Sequence, residues 1–317
     1  MRKIIMGRTG LEVSELCFGT LPIGPLQKNV AIEDAADIIS YGLKAGINFI
    51  DTAQAYKTYP HICLAIKKSQ KLPIISTKSS AKTYEDMCAA IEQALQELGV
   101  DKLDIFLLHA ARVNNKVLEE RKSPLKCLLD YREKGVINAV GISTHVVEVV
   151  NIAARNPEID VVFPILNYLG MGILGGTRDE MENAINECHK NNKGVFMMKV
   201  LAGGNLVNNY ITSMNYITSF SSGRFPIAIG MLNKSEVDMN ISYLNNEDIP
   251  SAMVDSAVLN KRFVIMKGQC IKCKKCVEVC HSSAITVNDA PAEINEAKCL
   301  KCGYCVAECP QFAIRMN

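Results

Sequence analysis

The sequence predicts an α/β fold: a (β/α)8 TIM-type barrel carrying a small α+β unit at its carboxyl end. Three observations predict it. Short, almost wholly apolar runs alternate with amphipathic helical stretches up to about residue 244. Near-continuous apolar character marks parallel strands covered on both faces, and the eight runs match the strand number of a closed barrel. From about residue 262 the chain turns to cysteines, lysines and short polar links.

The runs, in order, are ELCFGT (15 to 20), NFIDTA (48 to 53), PIISTKS (73 to 79), LDIFLLHA (103 to 110), AVGIST (139 to 144), VVFPILN (161 to 167), VFMMKVL (195 to 201) and PIAIGML (226 to 232). Between them lie helical patterns. In YEDMCAAIEQALQELGV, Met87, Ala90, Ile91, Ala94, Leu95 and Leu98 fall on one face at spacings of three and four. AIEDAADIISYGLKAG, SPLKCLLDYREKG and DEMENAINECHKNNKG are similar, several closed by a glycine of the C-cap type. A doubly wound open sheet would also alternate in this way, but no G-x-G-x-x-G follows the first strand.

With 317 residues, 48% of them hydrophobic, the chain can bury a large core, and its length suggests about two domains, 1–260 and 261–317. A formal net charge of +2 gives no reason to expect nucleic acid as a partner. No apolar run approaches the roughly 18 residues of a membrane span. The opening MRKIIMGRTG is too polar after residue 6 for a signal peptide. Of the 13 cysteines, Cys17, Cys63, Cys88, Cys127 and Cys188 lie among apolar neighbours, as core thiols do. Free thiols suit a reducing interior, so a cytoplasmic location is expected.

In such barrels, reacting groups stand at the carboxyl ends of strands. Reading those ends in order gives Asp51, with Tyr56 just beyond, then Lys78, His109 and Ser143. Singly, each has an ordinary structural explanation: a tyrosine packs, an Asp–Lys pair forms a rim ion pair, a histidine in FLLHA sits in a core. Together they match one task. A lysine cation lowers the pKa of a nearby phenol, Asp51 would keep Lys78 charged, and His109 would orient a carbonyl oxygen. Tyr56 could then protonate that oxygen while hydride arrives at carbon.

The carboxyl-terminal unit is an internal repeat. CIKCKKCVEVCH (270 to 281) returns as CLKCGYCVAECP (299 to 310), and the match continues through Ala284-Ile285 and Ala313-Ile314. Each copy has the spacing C-x-x-C-x-x-C-x-x-x-C, the bacterial two-cluster pattern, in which the fourth cysteine of each run serves the other cluster. One 4Fe-4S cluster would take Cys270, Cys273, Cys276 and Cys309, the other Cys280, Cys299, Cys302 and Cys305. Zinc would need only four thiolates in two pairs, and a disulfide framework suits a small secreted domain. The repeat and the Cys309-Pro310 ending favour iron.

On these residues, 262 to 317 resemble a bacterial dicluster ferredoxin, with His281 in the place that Pro310 fills in the second copy. Residues 1 to 245 resemble an aldo-keto reductase. MRKIIMGRTGLEVSELCFGT is similar to that family's amino-terminal hairpin and first strand, FIDTAQAY to its D-T-A-x-x-Y motif, and DKLDIFLLHA to its histidine strand. EKGVINAVGIS is similar to its fifth-strand segment and IGMLNKSEVDMN to its eighth. The resemblance implies a catalytic tetrad of Asp51, Tyr56, Lys78 and His109, with Tyr56 as proton donor. It also implies NADP or NAD bound by Gly19, Thr20, Asp51, Ser143, Leu201, Gly203, Gly230, Met231, Glu236 and Asn240.

Several positions depart from the family pattern. Lys57-Thr58-Tyr59-Pro60 replaces G-x-S-E, Thr144 an asparagine, Phe163 a glutamine and Leu232 a basic residue for which Lys234 is the nearest substitute. No flavin motif is visible. The expected function is an oxidoreductase that reduces or forms a small carbonyl compound, its two clusters exchanging electrons with a partner such as ferredoxin or flavodoxin. A ferredoxin-linked reductase without nicotinamide and a non-enzymatic electron carrier are the alternatives. If the clusters serve catalysis, the tail is expected at the barrel's carboxyl-end rim, reached through the segment 245–267.

Overall fold

The computed structural model describes residues 1–220, 225–250, 253–254, 262–300 and 303–316. A hairpin, β1 (Lys3–Ile5) against β2 (Glu12–Ser14), leads into the first barrel strand, β3 (Leu16–Gly19). Parallel neighbours follow: β4 (Phe49–Asp51), β5 (Ile74–Ser79), β6 (Leu103–Ala110), β7 (Ile137–Thr144), β8 (Val161–Pro164), β9 (Gly194–Val195), β10 (Met197–Met198) and β11 (Ile227–Gly230). The order around the sheet is β10-β11-β3-β4-β5-β6-β7-β8-β9. β9 and β10 are one strand broken at Phe196; its two parts pair with β8 and β11 respectively, so the sheet closes. This is the expected eight-stranded barrel, not an open doubly wound sheet. The seventh run ends earlier than its apolar character suggests, because Lys199 leaves the strand at φ 59.

Strand alternation sorts the side chains into two apolar zones. Ile105 and Leu107 of β6 point inward with Cys17, Phe49, Ala139, Val161, Phe163 and Phe196, filling the barrel. Phe106 and Leu108 point outward, into a second zone beneath the helices. These are α1 (Ile32–Lys44), α2 (Tyr59–Ser69), α3 (Tyr84–Leu98), α4 (Val117–Glu120), α5 (Lys122–Glu133), α6 (Val147–Arg155), α7 (Arg178–Lys190), α8 (Tyr210–Thr218) and α9 (Lys234–Leu244). Local signals set their ends: the Thr83 hydroxyl accepts from Asp86 N at 3.1 Å to start α3, and Gly99 closes it at φ 69. Inside the barrel, β7 and β8 approach closely at Gly141. A Cβ there would lie 2.1 Å from the Val161 carbonyl oxygen, so glycine alone fits.

The tail unit is closed by its own ends, β12 (Phe263–Ile265) running antiparallel to β15 (Ile314–Met316), with a small ladder of β13 (Ile285–Thr286) and β14 (Glu293–Ile294) between. Phe263, Ile285, Val306, Phe312, Ile314 and Met316 are continuous with the barrel's outer apolar zone. The expected boundary at 260/261 lies outside the described residues. The tail does sit at the carboxyl-end rim. Its residues meet the loops after β6, β8 and β10: Gln311 accepts from Arg112 Nη1 at 2.5 Å, Phe312 packs over Gly172, and the Ile314 carbonyl accepts from Asn205 Nδ2 at 3.3 Å. The closest approach is at Gly204, φ 89, where a Cβ would fall 1.9 Å from the Met316 carbonyl oxygen.

Candidate active site and cysteine-lined cavities

Inward alternation continues past the apolar filling, and each strand's last inward residue reaches the rim. Cys17 is followed inward by Gly19, Phe49 by Asp51, Leu107 by His109 and Val161 by Phe163, while Lys78 and Ser143 end β5 and β7. The register brings them side by side: Gly19 opposite Asp51, Lys78 opposite Leu107, His109 opposite Ser143, and Ser143 opposite Phe163. Tyr56 comes from the short turn Gln54–Tyr56 after β4, held by the left-handed Lys57 that follows.

The Lys78 ammonium donates to Asp51 Oδ1 at 2.8 Å, to Oδ2 at 2.7 Å and to the Thr52 carbonyl at 2.7 Å, and the residue is 1% exposed. Ser76 Oγ donates to Asp51 Oδ1 as well, at 3.2 Å. Burial works against the Lys78 charge, but Asp51 and Tyr56 outweigh it and hold its pKa above the ordinary value. Burial raises the Asp51 pKa in turn, against Lys78 and Ser76, which lower it. Lys78 Nζ lies 5.0 Å from the centre of the Tyr56 ring, and the His109 ring meets that ring edge-on with centroids 6.0 Å apart. Lys78 lowers the Tyr56 pKa as expected, but burial raises it by more, so the net shift is upward and favours the protonated phenol. Burial, then Lys78, Lys199 and Arg121, push His109 down to about 3. It is a neutral imidazole, able to donate a hydrogen bond but not a charge.

Of these groups Asp51 and Tyr56 line a cleft of about 920 Å³, open solvent included, and Lys78 and His109 stand behind them, outside its lining. Of the residues that resemblance ties to a nicotinamide, Gly19, Asp51, Leu201, Gly203 and Gly230 line it. Ser143 Oγ is buried beside them in sequence register and has no hydrogen-bond partner, which suits a donor or acceptor on a bound cofactor. Thr20, Met231, Glu236 and Asn240 are not among the lining residues. Thr20 Oγ1 is spent on the Asp51 carbonyl and Thr58, Glu236 Oε2 accepts from Leu232 N, and Asn240 bonds Tyr210 and the Glu236 carbonyl. Lys234 lies over the Tyr41 ring at 5.5 Å rather than in the cleft, where Leu232 stands. Phe163 stacks on Phe196 with centroids 3.7 Å apart and lines the cleft too.

Sequence reasoning missed four basic groups at the seam with the tail: Arg112, His145, Lys199 and Arg315. Lys199 lies inside the seventh apolar run and His145 directly follows the fifth, a signal that was legible; nothing in the sequence joins Arg315 to the barrel.

In the tail the two cysteine runs are interleaved. Cys270, Cys273, Cys276 and Cys309 line one cavity of about 360 Å³; Cys280, Cys299 and Cys305 line another of about 320 Å³. Cys302 lies outside the described residues. The repeat is structural as well as sequential: Lys274 and Gly303 are left-handed at φ 63 and 82, and Ser283 and Phe312 at φ 50 and 44. In both copies the amide four residues on, Ala284 or Ala313, donates to the fourth cysteine sulfur, Cys280 or Cys309, at 3.2 Å. Amide bonds to sulfur suit thiolates bound to iron, and they are among the features that set cluster potentials. Among the described residues no three His, Cys, Asp or Glu side chains are grouped to clasp a single ion. Thiols standing around a hollow fit the larger cubane better than zinc.

A phenol, a Lys–Asp pair and an imidazole are gathered at the rim of a closed parallel barrel, with a cysteine-rich unit docked beside them. Residues 15–246 match the aldo/keto reductase family and residues 262–310 a 4Fe-4S dicluster domain; the chain belongs to the aldo/keto reductase family. It is 28% identical over 207 residues to a probable aldo-keto reductase 1 of Glycine max, covering 55% of this chain and 58% of that protein. It is 25% identical over 185 residues to L-galactose dehydrogenase of Arabidopsis thaliana, covering 54% and 57%. The chain thus spans somewhat over half the length of the curated relatives it matches. Among solved structures, a putative aldo-keto reductase from Pseudomonas aeruginosa superposes with a TM-score of 0.63 at 23% identity, over 80% of this chain and 94% of that one. A Bombyx mori aldo-keto reductase in complex with NADP superposes at 0.59 and 15%, over 81% and 91%. At these identities the likeness is one of fold.

Proposed function

We propose that the barrel reduces, or in reverse forms, a small carbonyl compound with NADP(H) or NAD(H), while the tail holds two 4Fe-4S clusters that exchange electrons with a one-electron partner such as ferredoxin or flavodoxin. The observation that carries this is the seating of the cavity around Cys309 against the same rim that presents Tyr56. A nicotinamide held along Gly19, Asp51, Ser143, Leu201, Gly203 and Gly230 would supply hydride. Tyr56, kept protonated by burial, gives its proton to the carbonyl oxygen, and Lys78 stabilises the phenolate left behind. His109 offers an N–H to the same oxygen, and Asp51 keeps Lys78 charged and in place. In the tail, Cys270, Cys273, Cys276 and Cys309 would hold one cluster, and Cys280, Cys299, Cys302 and Cys305 the other. A domain boundary near 260/261 is consistent with this division. No helix among the described residues is long and apolar enough to cross a membrane.

The test uses the full chain purified without oxygen. Reduced nicotinamide should be consumed when a simple aldehyde is added, and the visible absorbance of the clusters should respond to a one-electron donor such as reduced ferredoxin. A second reading, reduction fed through the clusters without nicotinamide, is favoured by Arg315 and Met316 lying against Gly203 and Gly204, the loop that would hold the dinucleotide. Turnover with a reduced viologen dye and none with NADPH or NADH selects it. Turnover with neither donor removes both.

A further inference from the structure

We propose that the cleft takes carbonyl substrates bearing a carboxylate, short oxo acids or acid aldehydes, and that Lys199 of the barrel and Arg315 of the tail hold that carboxylate. The inference rests on the carbonyl-reducing reading of the cleft and names its substrate class.

The charged side chains lining the cleft are Asp51, Lys199 and Arg315. Asp51 is fully committed to Lys78. Among the described residues neither Lys199 nor Arg315 is hydrogen-bonded to a carboxylate; Cys309, a thiolate of the proposed cluster, is the anionic group that acts on Arg315, and none acts on Lys199. Lys199 Nζ meets only a neutral group, His145 Nε2, at 2.8 Å, and His145 is 1% exposed with its Nδ1 buried and unpartnered. Arg315 is 2% exposed; its donors go to the Phe312 and Ile314 carbonyls and, at 3.5 Å, to Gln269 Oε1. Neutral acceptors fix a guanidinium in place without cancelling its charge.

Both cations flank one ring. Arg315 stacks on Phe312 with its Cζ 3.9 Å from the ring centre, and Lys199 Nζ lies 5.8 Å from the same centre. Burial, then Arg315, Arg112 and Lys78, push the Lys199 pKa well below its ordinary value, and a bound anion would raise it again. Burying charges without a partner costs several kcal/mol each. The backbone is also strained at this point: Lys199 and Ala202 adopt φ 59 and 48, a region non-glycine residues rarely enter. Strain and unpaired charge on both sides of a cleft are the marks of a site built for a ligand. Its position fits the reacting end, because Lys199 acts on His109 and Lys78 and lines the cleft beside Tyr56. A carboxylate held there would leave the rest of the substrate in the cleft that Tyr56 also lines.

The test compares succinic semialdehyde with butanal, equal in length and differing in the carboxylate, on the cluster-loaded full chain. The acid should be preferred in kcat/KM by about 30-fold or more, the usual scale for a buried charge pair. Lys199→Met and Arg315→Met should each cut that preference about 10-fold or more, and Lys199→Arg should recover part of it. Unreactive succinate should raise the melting temperature of the wild type and not of Lys199→Met. Equal use of both aldehydes overturns the proposal. So does a Lys199→Met variant that weakens NADPH binding while keeping the preference, since the charge would then serve dinucleotide phosphates. If neither aldehyde turns over yet succinate binds through Lys199, the anion site stands and the carbonyl reading falls.

Discussion

Asp51, Lys78 and His109 are delivered by strands whose depth and spacing come from a large apolar core on both faces of the sheet, whereas the cysteines of the tail stand on loops and single helical turns between strands of two or three residues. The barrel's polar groups are positioned by packing and then paired with one another. In the tail the polar groups, the thiols, are themselves the centre around which the chain folds, and the apolar residues behind them are few and continuous with the barrel's outer zone. A unit of this size seldom buries enough surface to stand alone without a metal or a partner. The difference teaches that the two regions fail differently.

Four experiments break or sharpen that contrast, from the largest effect to the smallest. Stripping iron with a chelator should unfold the tail outright, since metal binding and folding are one event in such sites. Limited proteolysis should then trim the chain from its carboxyl end to a resistant barrel; uniform degradation would show instead that the barrel depends on its tail. Gly141→Ala attacks the other region, driving a Cβ to within 2.1 Å of the Val161 oxygen. It should cost about 3 kcal/mol or more and lower the barrel transition in denaturant while the cluster absorbance of any folded protein is kept. Tyr56→Phe keeps the ring and removes the proton, so carbonyl reduction should fall by about 100-fold, roughly 2.7 kcal/mol, with the melting temperature unmoved. Undiminished turnover would remove Tyr56 from the chemistry.

The smallest effect is one of pH. His109 titrates at about 3 in the folded barrel, against about 6.5 in an unfolded chain. Its folded pKa is depressed, so its contribution is complete above about 6.5 and is lost as pH falls toward 3. At pH 5 the loss should be about 2 kcal/mol. The slope of unfolding free energy against pH between 7 and 5 should be flatter in His109→Gln; an unchanged slope would mean that the imidazole is not held neutral.

Much of this was open to reading in the chain itself. Eight apolar runs become the eight strands, and Asp51, Lys78 and His109 stand at the strand ends assigned to them, because alternation along a strand is local and each lies an even number of residues beyond an inward apolar one. The crossed cysteine sets line separate cavities for a similar reason: a repeated spacing on a repeated loop turns thiols to equivalent places, with Lys274 and Gly303 left-handed in both copies. Dihedral preference, side-chain period and loop spacing depend on near neighbours, and the sequence prints neighbours directly. Other features depend on which distant segments meet. The neutral His109, the raised Tyr56 and the engagement of Glu236 and Asn240 away from the cleft follow from burial and from fields set by groups far along the chain. Arg315 reaches Lys199 only because the tail docks on the rim. Desolvation and Coulomb energies are sums over space rather than along the chain, and for that reason only the tertiary structure could decide them.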